Sequence, residues 1–422
     1  MSYYVLPKIS NNITIDIGTN EDNVNEIPFI SHSIFNYYNE ILSLICELCK
    51  KETSPIFSNV CEMFKIVNSH EYIFSKVPGS KFSVSKIKPF SNTFYDFLEM
   101  CQTLNIFEFN NENSILSLHF GDNYKSTTDY MNVIREDNND ENIGFNKIEE
   151  YLIDNTDSIK FEAGNNIHFL FYECDGKVTN DNDFLKYINF LIILLKKQKH
   201  GGSCIIKISN LFYKSMVDVT YLLSSLYEKM YLIKPNTSLI TSFEKYIVCK
   251  NYLCNYERVD LYLEKLEKFV KNYNSITRSL LCLVKEKIPY YFLTKIEEAN
   301  AIIGQQQIES LDLIVHILKN KNKEDKIETL KKINLQKCIN WCEKYKIPYN
   351  KFSEKTNIFL SFLKNENDTL NENDTLNENK SKINDNDSIT NDSITNDTII
   401  DAEIMDETQL NYEIIDYMQL ND

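Results

Sequence analysis

Three charged residues stand where the ends of apolar strands would bring them together. Asp175 follows the apolar run from Ile167 to Tyr172, Lys207 closes Cys204-Ile205-Ile206, and Glu244 comes just before Tyr246-Ile247-Val248-Cys249. In an α/β sheet the carboxyl ends of parallel strands open onto one ligand crevice, so an acid, a base and a second acid would meet at one edge. A lysine held between two carboxylates suits deprotonation or orientation of a hydroxyl, because neighbouring charge and burial set its pKa. The same trio also reads as an ion cluster fastening strand ends, and spacing alone leaves both readings open.

The elements that must carry these residues alternate along the chain. Phe90 to Leu104 has a helical pattern, Ile115 to Phe120 reads as a strand closed by Gly121, and Tyr124 to Ile134 reads as a helix. A buried strand follows from Ile167 to Tyr172, then a helix from Phe184 to Lys199. Gly201-Gly202 turns into the strand carrying Lys207, and a helix from Tyr213 to Met230 leads to short strands at Tyr231 to Ile233 and Tyr246 to Cys249. Strands separated by helices predict an α/β fold with a mostly parallel sheet and helices on both faces.

Four stretches taken in order carry a resemblance. Asp175-Gly176, Gly201-Gly202-Ser203-Cys204-Ile205-Ile206-Lys207, Lys234-Pro235 with Ser238, and Glu244 with Tyr246, Val248 and Cys249 resemble the FtsJ-type RNA ribose 2′-O-methyltransferases. Cap-methyltransferase-like versions found in large DNA viruses are the most similar, over roughly Phe90 to Leu253. The resemblance implies a Rossmann-like, seven-stranded S-adenosylmethionine-dependent methyltransferase sheet whose final strand runs antiparallel. It implies a Lys-Asp-Lys-Glu tetrad activating a ribose hydroxyl for attack on the donor methyl, with Asp175, Lys207 and Glu244 as its last three members. Ser117, Gly121 and Asp175 would be the residues on S-adenosylmethionine.

The departures from that pattern fall mostly on the donor side. Asp96 stands where the first lysine belongs, with Lys86 or Lys88 as residues that could reach in from the preceding segment. The cofactor loop, in the family like Asp-Leu-x-x-x-Pro-Gly-Gly, reads Ser117-Leu118-His119-Phe120-Gly121-Asp122-Asn123-Tyr124. Asn123 and Tyr124 add bulk where glycines would let the backbone approach the methionine part of the cofactor. Leu239 replaces an arginine expected after Ser238. The implied activity is methylation of RNA, with capped messenger RNA as the finer substrate. The alternative is an inactive methyltransferase-fold subunit serving RNA binding, capping-complex assembly or a virion structure.

The rest of the chain is read by composition and period. Residues 1–81 form a partly helical lead, 82–254 the methyltransferase domain, 255–364 a helical extension and 365–422 an acidic repeat tail. Val259, Leu263, Leu266 and Val270 mark one helix of the extension; Leu311, Ile314, Val315 and Leu318 mark another; Leu335, Cys338, Cys342 and Tyr345 a third. The formal charge of −16 is concentrated beyond Asn365, where 16 acids meet two lysines; residues 1–364 are nearly balanced, so charge excludes no nucleic-acid role. The tail's repeats, few apolar residues and like charge predict disorder, and tail or extension could dock a capping-complex or virion partner.

Eleven cysteines lie among apolar neighbours without the spacing of a zinc set, so no metal is expected and free thiols in a reducing compartment are. No signal peptide is visible, and Phe190 to Leu195 is too short to span a bilayer, which predicts a cytoplasmic (host cytoplasm or virion) protein without membrane contact. Three weaker candidates each have a plain structural alternative. His119 could be a base or a packed core residue, and Tyr290-Tyr291-Phe292 could stack bases or fill a core. Lys319, Lys321, Lys323 and Lys326 could contact phosphates or line a solvated loop.

Overall fold

The computed structural model describes residues 2–20, 27–50, 56–107, 114–154, 167–174, 181–253, 255–273, 279–319 and 324–352. Asp175, three of the lysines 319–326 and the tail's repeats therefore lie partly or wholly outside the described residues: Asp175, Lys321, Lys323 and 365–422 are not among them. In chain order the elements are β1 (Ser2–Leu6), β2 (Ile15–Asn20), α1 (His32–Lys50), α2 (Ile56–Val67), α3 (Thr93–Leu104), β3 (Leu116–Phe120), α4 (Tyr124–Ile134), β4 (Glu141–Phe145) and α5 (Ile148–Asp154). There follow β5 (Ile167–Glu173), α6 (Asp181–Lys197), β6 (Gln198–Ile208), α7 (Lys214–Leu226), β7 (Tyr227–Lys234) and β8 (Lys245–Tyr252). The chain continues with α8 (Tyr256–Asn272), β9 (Ser279–Val284), α9 (Tyr290–Lys319) and α10 (Glu324–Lys344).

Seven strands form one sheet in the order β1-β7-β8-β6-β5-β3-β4. Strands β4, β3, β5 and β6 are parallel; β8 is antiparallel to β6 and β7, and β1 is antiparallel to β7. This is a Rossmann-like sheet of methyltransferase type with helices on both faces, followed by a largely helical C-terminal region. Central strands buried on both sides must be apolar at every position, and the pleat sends alternate residues to opposite cores. Leu118, Leu170, Tyr172, Cys204, Ile206 and Ile247 pack with α6 and α7 on one face. Phe169, Phe171, Ile205, Tyr246 and Val248 pack on the other with α3 and α10, including Phe94, Tyr95, Trp341 and Cys342.

That alternation places the chemistry. Lys207 lies between Ile206 and Ile208, which belong to the first core, so it shares the α3 face with Ile205. Its position on β6 depends on an irregularity at the strand's start. Gly201 has φ +79°, and a Cβ on Gly202 would lie 2.3 Å from Gln198 Nε2 and 2.8 Å from the His168 carbonyl. The glycine pair lets β6 bulge against β5 between the Ile167 and Phe169 pairings, and regular register then continues to Glu173 opposite Lys207.

Four strands differ from the sequence reading. Strand β1 comes from the extreme start of the chain and forms a sheet edge, while β2 pairs with β9 in a separate two-stranded sheet. Strand β4 is a polar edge strand, Glu-Asn-Ile-Gly-Phe, without the apolar alternation of a half-buried strand. Strand β9, Ser-Leu-Leu-Cys-Leu-Val, falls where only helical signal was read; its short apolar run carries no period of its own. The three helices expected beyond residue 255 are α8, α9 and α10. Among the described residues no helix is long and apolar enough to cross a membrane, and no group of His, Cys, Asp and Glu side chains could hold a metal.

Candidate active site

Lys207 is the centre of a charge cluster at the carboxyl edge of β5 and β6. Its Nζ donates to Glu173 Oε1 at 2.7 Å and lies 3.3 Å from Glu244 Oε2. The side chains grade outward, with Glu173 5% exposed, Lys207 12% and Glu244 36%, so Glu244 forms the mouth. Lys207 and Glu244, singled out from sequence, are brought together. The inner carboxylate in contact with Lys207 is Glu173, which sequence reasoning missed. Asp175, assigned to the site by resemblance, lies outside the described residues.

Burial alone would push the Lys207 ammonium down. Glu173, Glu244, the hydrogen bond to Glu173 and the nearby Asp96 outweigh it, and the net shift is upward. Lys207 is thus a lysinium at neutral pH, suited to orienting a hydroxyl by donating to its oxygen and unsuited to taking its proton.

Asp96, at the position of the family's first lysine, is turned to another task. Its carboxylate accepts from Thr237 Oγ1 at 2.5 Å and Tyr246 OH at 2.9 Å. Burial raises it to about 7, against the pull of those two hydrogen bonds and of Lys207. One turn along α3, Glu99 Oε2 accepts from the Asn236 backbone N–H at 3.0 Å and from Trp341 Nε1 at 3.2 Å. The two acids therefore clamp the segment between β7 and β8 that delivers Glu244. Lys86 and Lys88 are both exposed.

The remaining clamps explain the Lys-Pro-x-x-Ser motif. Lys234 is buried and donates to the carbonyls of Ser242 at 2.7 Å and Glu244 at 2.6 Å. Ser238 Oγ donates to the Pro235 carbonyl, and Asn92 Nδ2 to the Thr237 carbonyl. Gln307 of α9 and Tyr38 of α1 donate to Ser242 and Thr241 carbonyls, so the helical region outside the sheet also holds this segment. Polar backbone that leaves a sheet edge and stays buried needs such partners.

The donor-side loop after β3 is filled by its own side chains. Ser117 is buried, and its Oγ is 2.8 Å from His119 Nε2 and donates to Asn142 Oδ1 at 2.6 Å. His119 Nδ1 is 2.9 Å from Thr127 Oγ1. Burial drives the imidazole down to about 3, so His119 is a neutral core residue. Gly121 has φ +119°, and a Cβ there would lie 2.6 Å from the Glu173 carbonyl oxygen. The loop thus rests directly on the end of β5. Asn123 Nδ2 donates to Glu173 Oε1 at 3.2 Å, and the Tyr124 ring covers Gly144, with Cδ2 1.9 Å from where a Cβ on Gly144 would be.

Of the weaker candidates, Phe292 is a core residue while Tyr290 and Tyr291 are exposed. The described cysteines are free thiols, Cys46, Cys49, Cys338 and Cys342 among them.

No protein-family model matches the chain. It is 25% identical over 140 residues to the cap-specific mRNA (nucleoside-2′-O-)-methyltransferase 2 of Drosophila melanogaster, covering 33% of this chain and 19% of that protein. It is 31% identical over 112 residues to the Danio rerio protein of the same name, covering 26% and 14%. An uncharacterized protein of Acanthamoeba polyphaga mimivirus is 29% identical over 157 residues, 37% of this chain and 42% of that one. Among solved structures, a putative ribosomal RNA methyltransferase from Plasmodium falciparum aligns with a TM-score of 0.29 at 15% identity, over 39% of this chain and 99% of that one. The chain spans less than a fifth of the length of the two animal relatives. Over about a third of its own length, this chain is a distant relative of the FtsJ-like cap-specific mRNA ribose 2′-O-methyltransferases.

Proposed function

We propose that the chain acts on RNA as a protein of the ribose 2′-O-methyltransferase type, with the Lys207 cluster as its ribose site. The observation that carries this reading is the lysinium held between Glu173 and Glu244 at the carboxyl edge of the sheet, in a chain related to cap methyltransferases. Lys207 would donate to the ribose hydroxyl oxygen, and Glu244, at the mouth, is the group placed to accept its proton. Asp175 would join them by resemblance. Capped messenger RNA is the substrate that the relatives' names suggest.

S-adenosylmethionine, the donor used in such chemistry, does not fit the arrangement of the loop. Its methionine part needs backbone without side chains between β3 and the end of β5. Here Asn123 reaches across that gap to Glu173, Tyr124 lies on Gly144, and Gly121 rests on Glu173. Ser117 and Gly121, the residues that the resemblance assigns to the cofactor, are engaged with the protein itself. These contacts favour a second reading, a non-catalytic methyltransferase-fold subunit that binds RNA within a capping assembly or virion.

Calorimetric titration with S-adenosylmethionine separates the two. The second reading expects no heat of binding from the wild type and saturable binding from an Asn123→Gly/Tyr124→Gly variant with the loop cleared. Saturable binding by the wild type refutes the second reading. Methyl transfer to capped RNA that survives Lys207→Met refutes the role given to Lys207.

A further inference from the structure

Glu173 has one oxygen that the fold does not use. Oε1 is engaged twice, by Lys207 Nζ at 2.7 Å and Asn123 Nδ2 at 3.2 Å. Oε2 is buried and has no hydrogen-bond partner among the described residues. An unpartnered buried carboxylate oxygen is costly, because it has lost water and gained nothing in exchange. A fold that needed Glu173 only as a counter-ion for Lys207 would gain by giving Oε2 a donor. Asp96 and Glu99 on the facing helix, whose oxygens hold Thr237, Tyr246, Asn236 and Trp341, show that this fold supplies donors to buried acids.

The position of Oε2 limits what could fill it. It lies in the cluster whose mouth is Glu244 and whose other wall is the loop carrying Gly121 and Asn123. The missing partner must donate a hydrogen bond. It must also tolerate a lysinium beside it, and a neutral hydroxyl does so where a second cation would be repelled.

We propose that Glu173 is a ligand-binding residue, with Oε2 accepting a hydrogen bond from a ribose hydroxyl of RNA and Asn123 acting as the latch that covers it. The proposal rests on the ribose-directed reading above and adds a residue to it. Asn123 ties the loop after β3 to the same carboxylate that grips Lys207. Entry of the hydroxyl therefore breaks the Asn123–Glu173 bond, and the state of the loop is felt at Lys207 through one side chain.

The test uses the full chain and fluorescence anisotropy with two probes, a short single-stranded RNA and its fully 2′-O-methylated counterpart. The methylated strand can accept a hydrogen bond at the 2′ oxygen and cannot donate one. Wild type is expected to prefer the unmodified RNA by about tenfold, the worth of one hydrogen bond to a charged group. Glu173→Gln keeps the shape and turns the free oxygen into a donor, so the preference should fall to about threefold or less. An unchanged preference in folded Glu173→Gln overturns the proposal while leaving RNA binding intact. Binding of neither probe by the wild type overturns the ribose-directed reading and this one with it. Should Glu173→Gln fail to fold, Asn123→Ala decides: unmodified RNA should bind severalfold more tightly once the latch is gone, and unchanged affinity refutes the proposal.

Discussion

Replacing Lys245 by methionine should stabilise this protein at neutral pH and lose that advantage in base. Lys245 is buried at the first position of β8, where its Nζ donates to Asn300 Oδ1 of α9 at 2.9 Å. Burial, reinforced by the like charge of Lys234, pushes the amine down to about 7 from its ordinary 10.5. Between those values the unfolded chain binds a proton that the folded chain does not, so stability rises with pH across the window. Each pKa unit corresponds to about 1.4 kcal/mol, which makes the penalty roughly 4 kcal/mol at pH 7 and roughly 2 kcal/mol at pH 9. Methionine removes the penalty and fills similar space, but leaves the buried Asn300 oxygen without that donor, at a cost of about 1–3 kcal/mol. The balance is a gain of roughly 1–3 kcal/mol at pH 7 that shrinks to about zero at pH 9. Urea unfolding followed by the fluorescence of Trp341, the single tryptophan, reads the difference directly. A Lys245→Met protein less stable than wild type at pH 7, or an equal difference at both pH values, would refute the reasoning.

Two further substitutions test the clamps around the site. Asp96→Asn keeps an acceptor for Thr237 and removes a buried charge whose pKa is raised to about 7 from 3.8. The folded state is penalised as pH climbs through that window, so the variant's unfolding midpoint should gain on wild type more at pH 8 than at pH 5; the reverse order would contradict the burial argument. Asp218→Ala removes a buried carboxylate that pairs with Lys214 and accepts from the backbone N–H groups of Leu283 and Val284. It should cost about 3 kcal/mol and raise amide exchange selectively in β9. Unaltered exchange there would mean that the clamp is not what holds the strand.

How much was legible in the sequence depended on whether a residue's role was set by its own strand or by its neighbours. Lys207 and Glu244 could be read because each ends or precedes a strongly apolar run, and the pleat then puts the lysine on a definite face. Glu173 stood in plain view two residues before Asp175, but a turn such as Asp175-Gly176 draws attention to itself as a strand end. The signal that would have found Glu173 is register. Once β5 and β6 are taken as parallel neighbours starting from the Gly201-Gly202 bulge, Phe169 falls opposite Ser203 and Glu173 opposite Lys207. That count needs the bulge, and a bulge is a three-dimensional event that two glycines permit without announcing.

The donor side was legible in the opposite sense, as departures from a pattern. Sequence showed that Asn123 and Tyr124 replace glycines, yet bulk alone does not say where a side chain goes. Tyr124 lies on Gly144 only because β4 supplies a residue without a Cβ beside the loop, and β4 was too polar an edge strand to be read. Asn123 reaches Glu173 only because Gly121, at φ +119°, lets the loop rest on the end of β5. The glycines at 121 and 144 thus serve the closed loop and not a cofactor, an inversion of the role that glycine has in the related motif. The clamp on the acceptor side shows the same reuse, since Asp96 cannot replace a lysine in charge but can replace it as a contact between α3 and the segment carrying Glu244. Both changes move binding groups inward, onto the protein's own loops. A single buried oxygen of Glu173 is then the polar atom at the cluster that still lacks a partner among the described residues, which is why the ribose experiment turns on it.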